Sequence, residues 1–363
     1  MDFNFTEDQN ALRDAVARWV EKDFAFERRH ALAKGGGRTR EVYRELGELG
    51  LAGLAIAPEH GGMGFGPVEA MVVMEELGRG LVNAPYAAGA LIPPSLVDDA
   101  AWLAHMAEGS ALVVLAHQEA GARYRIDAPK TTATPQGGGW VLDGLKQIVP
   151  AGDEADAFIV PARLDAGGAG LFLVERDRCT VRGYPTADGA RAADVKMAAA
   201  PALALGGGLD RLERAVDIGI AAACAEAVGA MDRLVAMTVE YMNVRKQFGA
   251  TLASFQALRH RIADVKMQLE LARSMSYFAS LKLGEPAPQR RRALSQAKVQ
   301  LGHSMRFVGQ QCIQLHGGIG VTDDCAASHY FKRLTMLELA FGDTLHHLGE
   351  VSERMADTAG VFA

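Results

Sequence analysis

The amino-acid sequence predicts a mostly α-helical protein with a β middle domain. Three observations carry this reading. Apolar residues recur at helical spacing through the first part of the chain, up to about Gly109. Between about Ala111 and Leu205 they gather instead into short runs separated by Gly, Pro and Asp. Helical spacing then returns from about Leu209 to the end. The expected domains are a helical domain at 1–110, a β-barrel domain at 111–205 and a helical bundle at 206–363.

In the first zone Thr6 reads as a helix N-cap, with Glu7 and Asp8 suited to the positive end of the helix dipole. Leu12, Val16, Trp19 and Val20 then share one apolar face. A Gly-rich break from Lys34 to Arg38 ends this element. Val42, Leu46, Leu49 and Leu51 begin another. Pro58 to Gly64 is a loop by its glycines. A further helix is expected from about Pro67 to Gly78, with Met71, Met74 and Leu77 as core fillers. In the middle zone Leu112–Leu115, Trp140–Leu142, Lys146–Val149, Ala157–Val160 and Gly170–Val174 read as strands of a compact antiparallel barrel or sandwich. Asp143-Gly144 has the composition of a hairpin turn. In the last zone Leu258, Ile262, Val265, Leu269 and Ala272 form a long apolar stripe. Arg259, Arg261, Asp264, Lys266 and Glu270 lie mostly off it.

Composition narrows the function classes. Apolar residues make up 49% and charged residues 23%, an ordinary globular balance. A net charge of -6 gives no electrostatic reason to expect nucleic acid or an anionic membrane as partner. No uncharged apolar run is long enough for a membrane span; the best, Ile218 to Ala230, contains Glu226. The first residues have neither a basic region nor an apolar core, so no secretory signal is expected. Cys179, Cys224, Cys312 and Cys325 form no CxxC pair, and no histidines have metal-ligand spacing. Reduced thiols, no metal site and a cytoplasmic location are the expectation. His346 and His347 are adjacent, so on a helix they diverge and cannot chelate one ion.

Two stretches carry candidate chemistry. Tyr241 to Gly249 ends a long helix before Phe255-Gln256 opens the next. Arg245 and Lys246 supply fixed positive charge there, Phe248 an aromatic face and Gly249 a turn. This suits a phosphate-bearing ligand, although basic residues at a helix end also complement its dipole. Gln314 to Gly320 holds Gly317, Gly318 and Gly320, which permit close backbone approach to a ligand. A simple helix terminator would use the same glycines.

Together these stretches resemble the paired signatures of the acyl-CoA dehydrogenase family. The resemblance extends to Leu49–Leu54, Pro58–Gly62 and Glu76–Gly78, and to the helix–strand–helix order, so it spans nearly the whole chain. Within the family the chain is most similar to the small subunit of pimeloyl-CoA dehydrogenase and related heteromeric members, through Arg306–Gln311, His329–Arg333 and Phe341–Asp343. The resemblance implies the acyl-CoA dehydrogenase fold, with a C-terminal four-helix bundle. It implies FAD bound across a dimer interface and α,β-dehydrogenation of an acyl-CoA thioester. A carboxylate removes the α-proton and the flavin accepts the hydride. It implies Arg245, Phe248, Gln256, Gln314, Leu315, His316, Gly317 and Gly318 as cofactor-binding residues. It also implies a dimer-based tetramer and an electron-transfer flavoprotein as acceptor.

The chain departs from the family at one side of the site. The position that resemblance assigns to the base is Phe341, whose ring cannot abstract a proton. Asp343 is the nearest carboxylate and the remaining candidate, with a helix N-cap as its other role. The earlier helical position that some relatives use falls on Gly219, flanked by Asp217 and Glu226. In the middle domain the family's flavin-ring contacts fall on His117–Arg123 and Ile148–Gly152. Ile148 replaces an aromatic residue there, and Pro150 replaces a hydroxyl. The one-sided loss predicts an unequal pair, in which this chain completes the FAD site of a larger catalytic subunit. A self-sufficient homotetramer with an unusual base, and a flavin-free structural or regulatory member of the fold, are the alternatives.

Overall fold

The computed structural model describes residues 4–165 and 167–355. Helices run in the order α1 (Glu7–Asp23), α2 (Phe26–Lys34), α3 (Arg40–Glu48), α4 (Pro67–Arg79), α5 (Ala100–Ala107), α6 (Leu209–Val244), α7 (Gln256–Lys282), α8 (Ala287–His316), α9 (Ala326–Leu339) and α10 (Thr344–Met355). The helices before the strands, the barrel and the helices after it follow the order that the resemblance implies. The chain divides into two compact units. One takes the N-terminal segment through Arg29, Pro67–Val82 and the chain from Ile220 onward. The other takes His30–Gly66 and Asn83–Gly219.

The first unit is helical. Thr6 caps α1 by accepting from the Gln9 amide at 3.2 Å, and the Gln9 side chain returns to the Thr6 amide at 3.0 Å. Val16 and Trp19 are buried, as the apolar face requires. Helices α4 and α6 cross in close contact. A Cβ on Gly229 would lie 1.8 Å from the Glu75 carbonyl, and one on Gly78 would lie 2.1 Å from the Glu226 carbonyl. Val265, Leu269 and Ala272 bury the α7 stripe, and α7 packs along α8.

The second unit is built on a seven-stranded sheet: β1 (Val113–Leu115), β2 (Thr132–Gln136), β3 (Gly139–Pro150), β4 (Ala157–Leu164), β5 (Ala169–Glu175), β6 (Thr180–Pro185) and β7 (Arg191–Leu205). Pairings β4–β2, β2–β3, β3–β7, β7–β5 and β5–β4 return to their starting strand, so the sheet closes into a barrel. It differs from the expected all-antiparallel arrangement, because β4 pairs in parallel with β1 and β2. Asp143-Gly144 is not a turn but lies within the continuous strand β3, at a register shift against β7. Gly144 is needed for close approach: a Cβ there would sit 2.5 Å from Thr131 Oγ1. The reversal falls instead at Gly137-Gly138, both left-handed, with φ of 59° and 83°.

Candidate functional site

Helix α6 stops at Val244, and the Arg245 amide still donates to the Tyr241 carbonyl at 2.9 Å. Two short strands follow, β8 (Lys246–Gln247) and β9 (Ala250–Thr251), paired as a hairpin. Its two-residue turn is Phe248-Gly249, with φ of 52° and 81°. Positive φ at both positions matches the twist of a tight hairpin, and glycine meets it without strain. The turn leaves Phe248 94% exposed, with its ring perpendicular to that of Phe255. The Leu252 amide closes the segment onto the Arg245 carbonyl at 2.8 Å. Phe255 precedes α7, so Gln256 is the first helical residue.

The facing wall comes from the end of α8. Gly317 terminates that helix at φ 67° and ψ −148°, a region essentially confined to glycine. A Cβ on Gly317 or Gly318 would meet nothing within 4 Å, so the chain itself does not fill the space beside them. The two walls enclose a cavity of about 370 Å³. It brings together Arg245, Gln314, Leu315, His316, Gly317 and Gly318 of the residues expected from the sequence. Phe248 stands at the hairpin tip and Gln256 at the start of α7; neither lines the cavity.

The cavity is also lined by residues that were not expected to bind the cofactor, of which two stand out. Arg261 adds a second guanidinium, and Tyr241 stacks on His316 with ring centroids 4.7 Å apart. The available signal was the spacing of Leu258 and Arg261, which puts both on one face of α7 beside the break. Among the described residues lining the cavity none is acidic. Two guanidiniums, the amide side chains of Gln247 and Gln314 and open glycine backbone therefore favour an anionic, phosphate-bearing ligand.

The region expected to hold a catalytic base is engaged in structure. Phe341 has φ 57° and Gly342 φ 115°. The Phe341 carbonyl accepts from His347 Nε2 at 3.1 Å, leaving His347 Nδ1 to accept from Ser295 Oγ at 3.2 Å. Burial, helped by the Lys298 charge, pulls His347 down to about 3, so it stays neutral. Asp343 accepts from the His346 amide at 2.8 Å and caps α10. Glu338 is buried and accepts from the Thr344 amide and hydroxyl at 3.1 and 2.6 Å. Lys298, itself buried, donates to the Leu337 and Glu338 carbonyls at 2.6 and 2.9 Å. Burial lowers it to about 8. Glu226 is held in two hydrogen bonds by Arg333, at 2.5 and 2.8 Å, and Asp217 is fully buried in α6.

In the barrel, Glu119 accepts from Lys146 at 2.6 Å, from the Thr131 hydroxyl and amide, and from the Lys130 amide. Burial opposes its charge, but the hydrogen bonds from Lys146 and Thr131 outweigh burial and hold it down at about 2. Burial also keeps His117 neutral, near 4. Ile148 is 54% exposed with φ 53°, and Pro150 pairs with Ala192 in the sheet. No helix among the described residues is long and apolar enough to cross a membrane.

The cavity at the ends of α6 and α8 combines two guanidiniums with open glycine backbone, a lining suited to a phosphate-bearing ligand. Comparison with known proteins makes this specific. The acyl-CoA dehydrogenase N-terminal domain matches residues 6–108, and the C-terminal domain of the same family matches residues 206–356. The chain belongs to the acyl-CoA dehydrogenase family, FAD-dependent flavoprotein oxidoreductases of fatty acid metabolism that act on CH–CH bonds. It is 28% identical to acyl-CoA dehydrogenase FadE27 of Mycobacterium tuberculosis, over 99% of this chain and all of that one. It is 26% identical to the human mitochondrial short-chain specific acyl-CoA dehydrogenase, over 82% of this chain and 78% of that one. Among solved structures it is similar to a chain of the ChsE4-ChsE5 complex from Mycobacterium tuberculosis, with a TM-score of 0.89 and 26% identity, covering 99% of this chain and 100% of that one.

Proposed function

We propose that this chain is the small, non-catalytic subunit of a heteromeric acyl-CoA dehydrogenase, supplying part of the FAD site to a larger catalytic partner. The contrast within the chain is the observation that carries this. The cavity of Arg245, Arg261 and Gly317-Gly318 is acid-free and open. The turn at Phe341, by comparison, is occupied by an aromatic ring and sealed by hydrogen bonds from His347 and to Glu338.

The cavity fits the phosphate side of FAD. Arg245 and Arg261 bring two fixed positive charges, and the amides of Gly317 and Gly318 can approach phosphate oxygens without a Cβ in the way. Phe248, exposed at its hairpin tip, offers an apolar surface to the partner. The flavin-ring side is not matched: Ile148 offers no aromatic face and Pro150 no hydroxyl. Bound FAD supplies the hydride acceptor for α,β-dehydrogenation of an acyl-CoA thioester, and the partner supplies the base. A heteromeric relative is compatible with this, since the ChsE4-ChsE5 structure is a complex. The small subunit of pimeloyl-CoA dehydrogenase is the functional analogue we infer, in a dimer-based tetramer passing electrons to an electron-transfer flavoprotein.

The test is the visible spectrum of the chain purified alone and with its larger subunit. The lone chain is expected to be colourless, with flavin bands only in the complex. Full flavin in the lone chain, bleached by an acyl-CoA, would mean a self-sufficient enzyme.

A further inference from the structure

A second cavity, of about 480 Å³, lies within the barrel-bearing unit and shares no residue with the first. It is lined from the start of α3, from the β3–β4 connection at Asp153–Asp156 and by Arg176 directly after β5. Four arginines and four carboxylates line it, but they are not matched to one another. Asp153 is held by Arg191, which stands outside the lining, at 2.5 and 2.7 Å. Glu154 accepts from the Thr39 and Arg40 amides at 3.0 and 2.6 Å, so the N-terminus of α3 is already filled. Asp156 accepts from Arg40 and from the Leu112 amide, each at 2.7 Å. With Arg191 the group holds five guanidiniums and four carboxylates, and three of the four carboxylates are satisfied from within the fold.

The donors left over sit on three arginines. Arg44 makes no hydrogen bond or ion pair among the described residues. Arg38 has a side chain 68% exposed and comes only within 4.0 Å of Asp153, beyond hydrogen-bond reach. Arg176 uses one nitrogen on the Gly152 and Ala155 carbonyls, both at 3.3 Å, and its other N–H groups have no partner among the described residues. A guanidinium presents its N–H groups as a rigid fork that matches oxyanions. Forks arriving from separate segments suit a tetrahedral oxyanion, with several acceptor oxygens, better than a flat carboxylate with two. We propose that this cavity binds a phosphate group through Arg38, Arg44 and Arg176, as an anion site separate from the flavin cavity. It goes beyond the subunit reading above and does not rest on it.

Modification of arginines by phenylglyoxal, located by peptide mass in the full chain at constant pH and ionic strength, tests this residue by residue. Inorganic phosphate is expected to slow modification of Arg38 and Arg44 several-fold, and to leave Arg18, exposed on α1, unchanged. Acetate is expected to protect none of them. Arg44 is exposed and unpartnered, so Arg44→Gln removes nothing the fold uses. It is expected to raise the phosphate concentration that half-protects Arg38 about tenfold, the loss of one charge-assisted contact. Arg245→Ala, in the flavin cavity, is expected to leave this protection as in wild type. Half-protection by less glycerol phosphate than inorganic phosphate assigns the group to an organic phosphate ester, and the reverse assigns it to free phosphate. Equal slowing at Arg18, or by acetate, is general screening of charge and overturns the site. Undiminished protection of Arg38 in Arg44→Gln, or its loss in Arg245→Ala, overturns it as well.

Discussion

Glu75 shows how a single buried carboxyl can set the pH behaviour of this chain. Its side chain is 3% exposed, and Oε2 reaches Arg13 and Arg273 only at 3.9 Å. Oε1 has no hydrogen-bond partner among the described residues. Burial pushes its pKa up to about 7 from 4.5, against the pull of Arg273 and Arg13. The unfolded chain releases this proton near 4.5, and the fold holds it until about 7. The stabilisation is therefore fully present below 4.5 and is lost as pH rises through about 7. Glu75→Gln keeps the shape without the ionisation. It is expected to be more stable than wild type at about pH 8, by on the order of 1–3 kcal/mol, with the gap closing in acid. Urea unfolding across this range checks it; a gap independent of pH would mean Glu75 is ionised in the fold. Lys298 makes a complementary case. Lys298→Met leaves the Leu337 and Glu338 carbonyls without their donor, at a cost of about 2–4 kcal/mol. Thermal melting reads this, and an unchanged melting temperature would remove Lys298 as the cap of α9. Neither residue stands out in the sequence, where Glu75 and Lys298 look like ordinary solvated helix positions. Their burial depends on which helices pack against them.

At the scale of elements, close packing decides what local pattern cannot. The α4–α6 crossing depends on Gly78 and Gly229, which allow backbone to touch backbone. Gly229→Ala must force the helices apart, because its methyl would overlap the Glu75 carbonyl. A loss of about 2–4 kcal/mol is expected, seen as a lower midpoint in urea followed by circular dichroism. An unchanged midpoint would show that the crossing relaxes freely. The helices themselves were legible: the Thr6 cap, the α4 core residues Met71, Met74 and Leu77, and the α7 stripe all follow from spacing. The strands were less so. β7 contains the run Ala198-Ala199-Ala200-Pro201, whose low strand propensity hides it, and it is held by pairing to β3, β5 and β6. Asp143-Gly144 misled because glycine serves turns and close strand contacts alike; only the approach of Thr131 shows which.

For the whole molecule the unequal-pair reading makes a direct prediction. Arg245→Ala in this subunit is expected to loosen FAD in the assembled complex by about 10–100-fold, as loss of a charge-assisted phosphate contact would. Flavin released on gel filtration measures it. Flavin retained as in wild type would mean that the cavity does not reach the partner's cofactor. By itself the sequence determined the order of helices, strands and helices, because periodicity is a local property of the chain. It also pointed to Arg245 and Gln314–Gly318, because glycines and basic residues at helix ends are visible as composition. Only the tertiary structure decided that these two stretches share one cavity with Arg261. It also decided that Asp343, Glu338 and Glu226 are engaged in hydrogen bonds within the fold. Those facts depend on contacts between residues far apart in the chain, and no local pattern encodes which distant group will satisfy a buried charge.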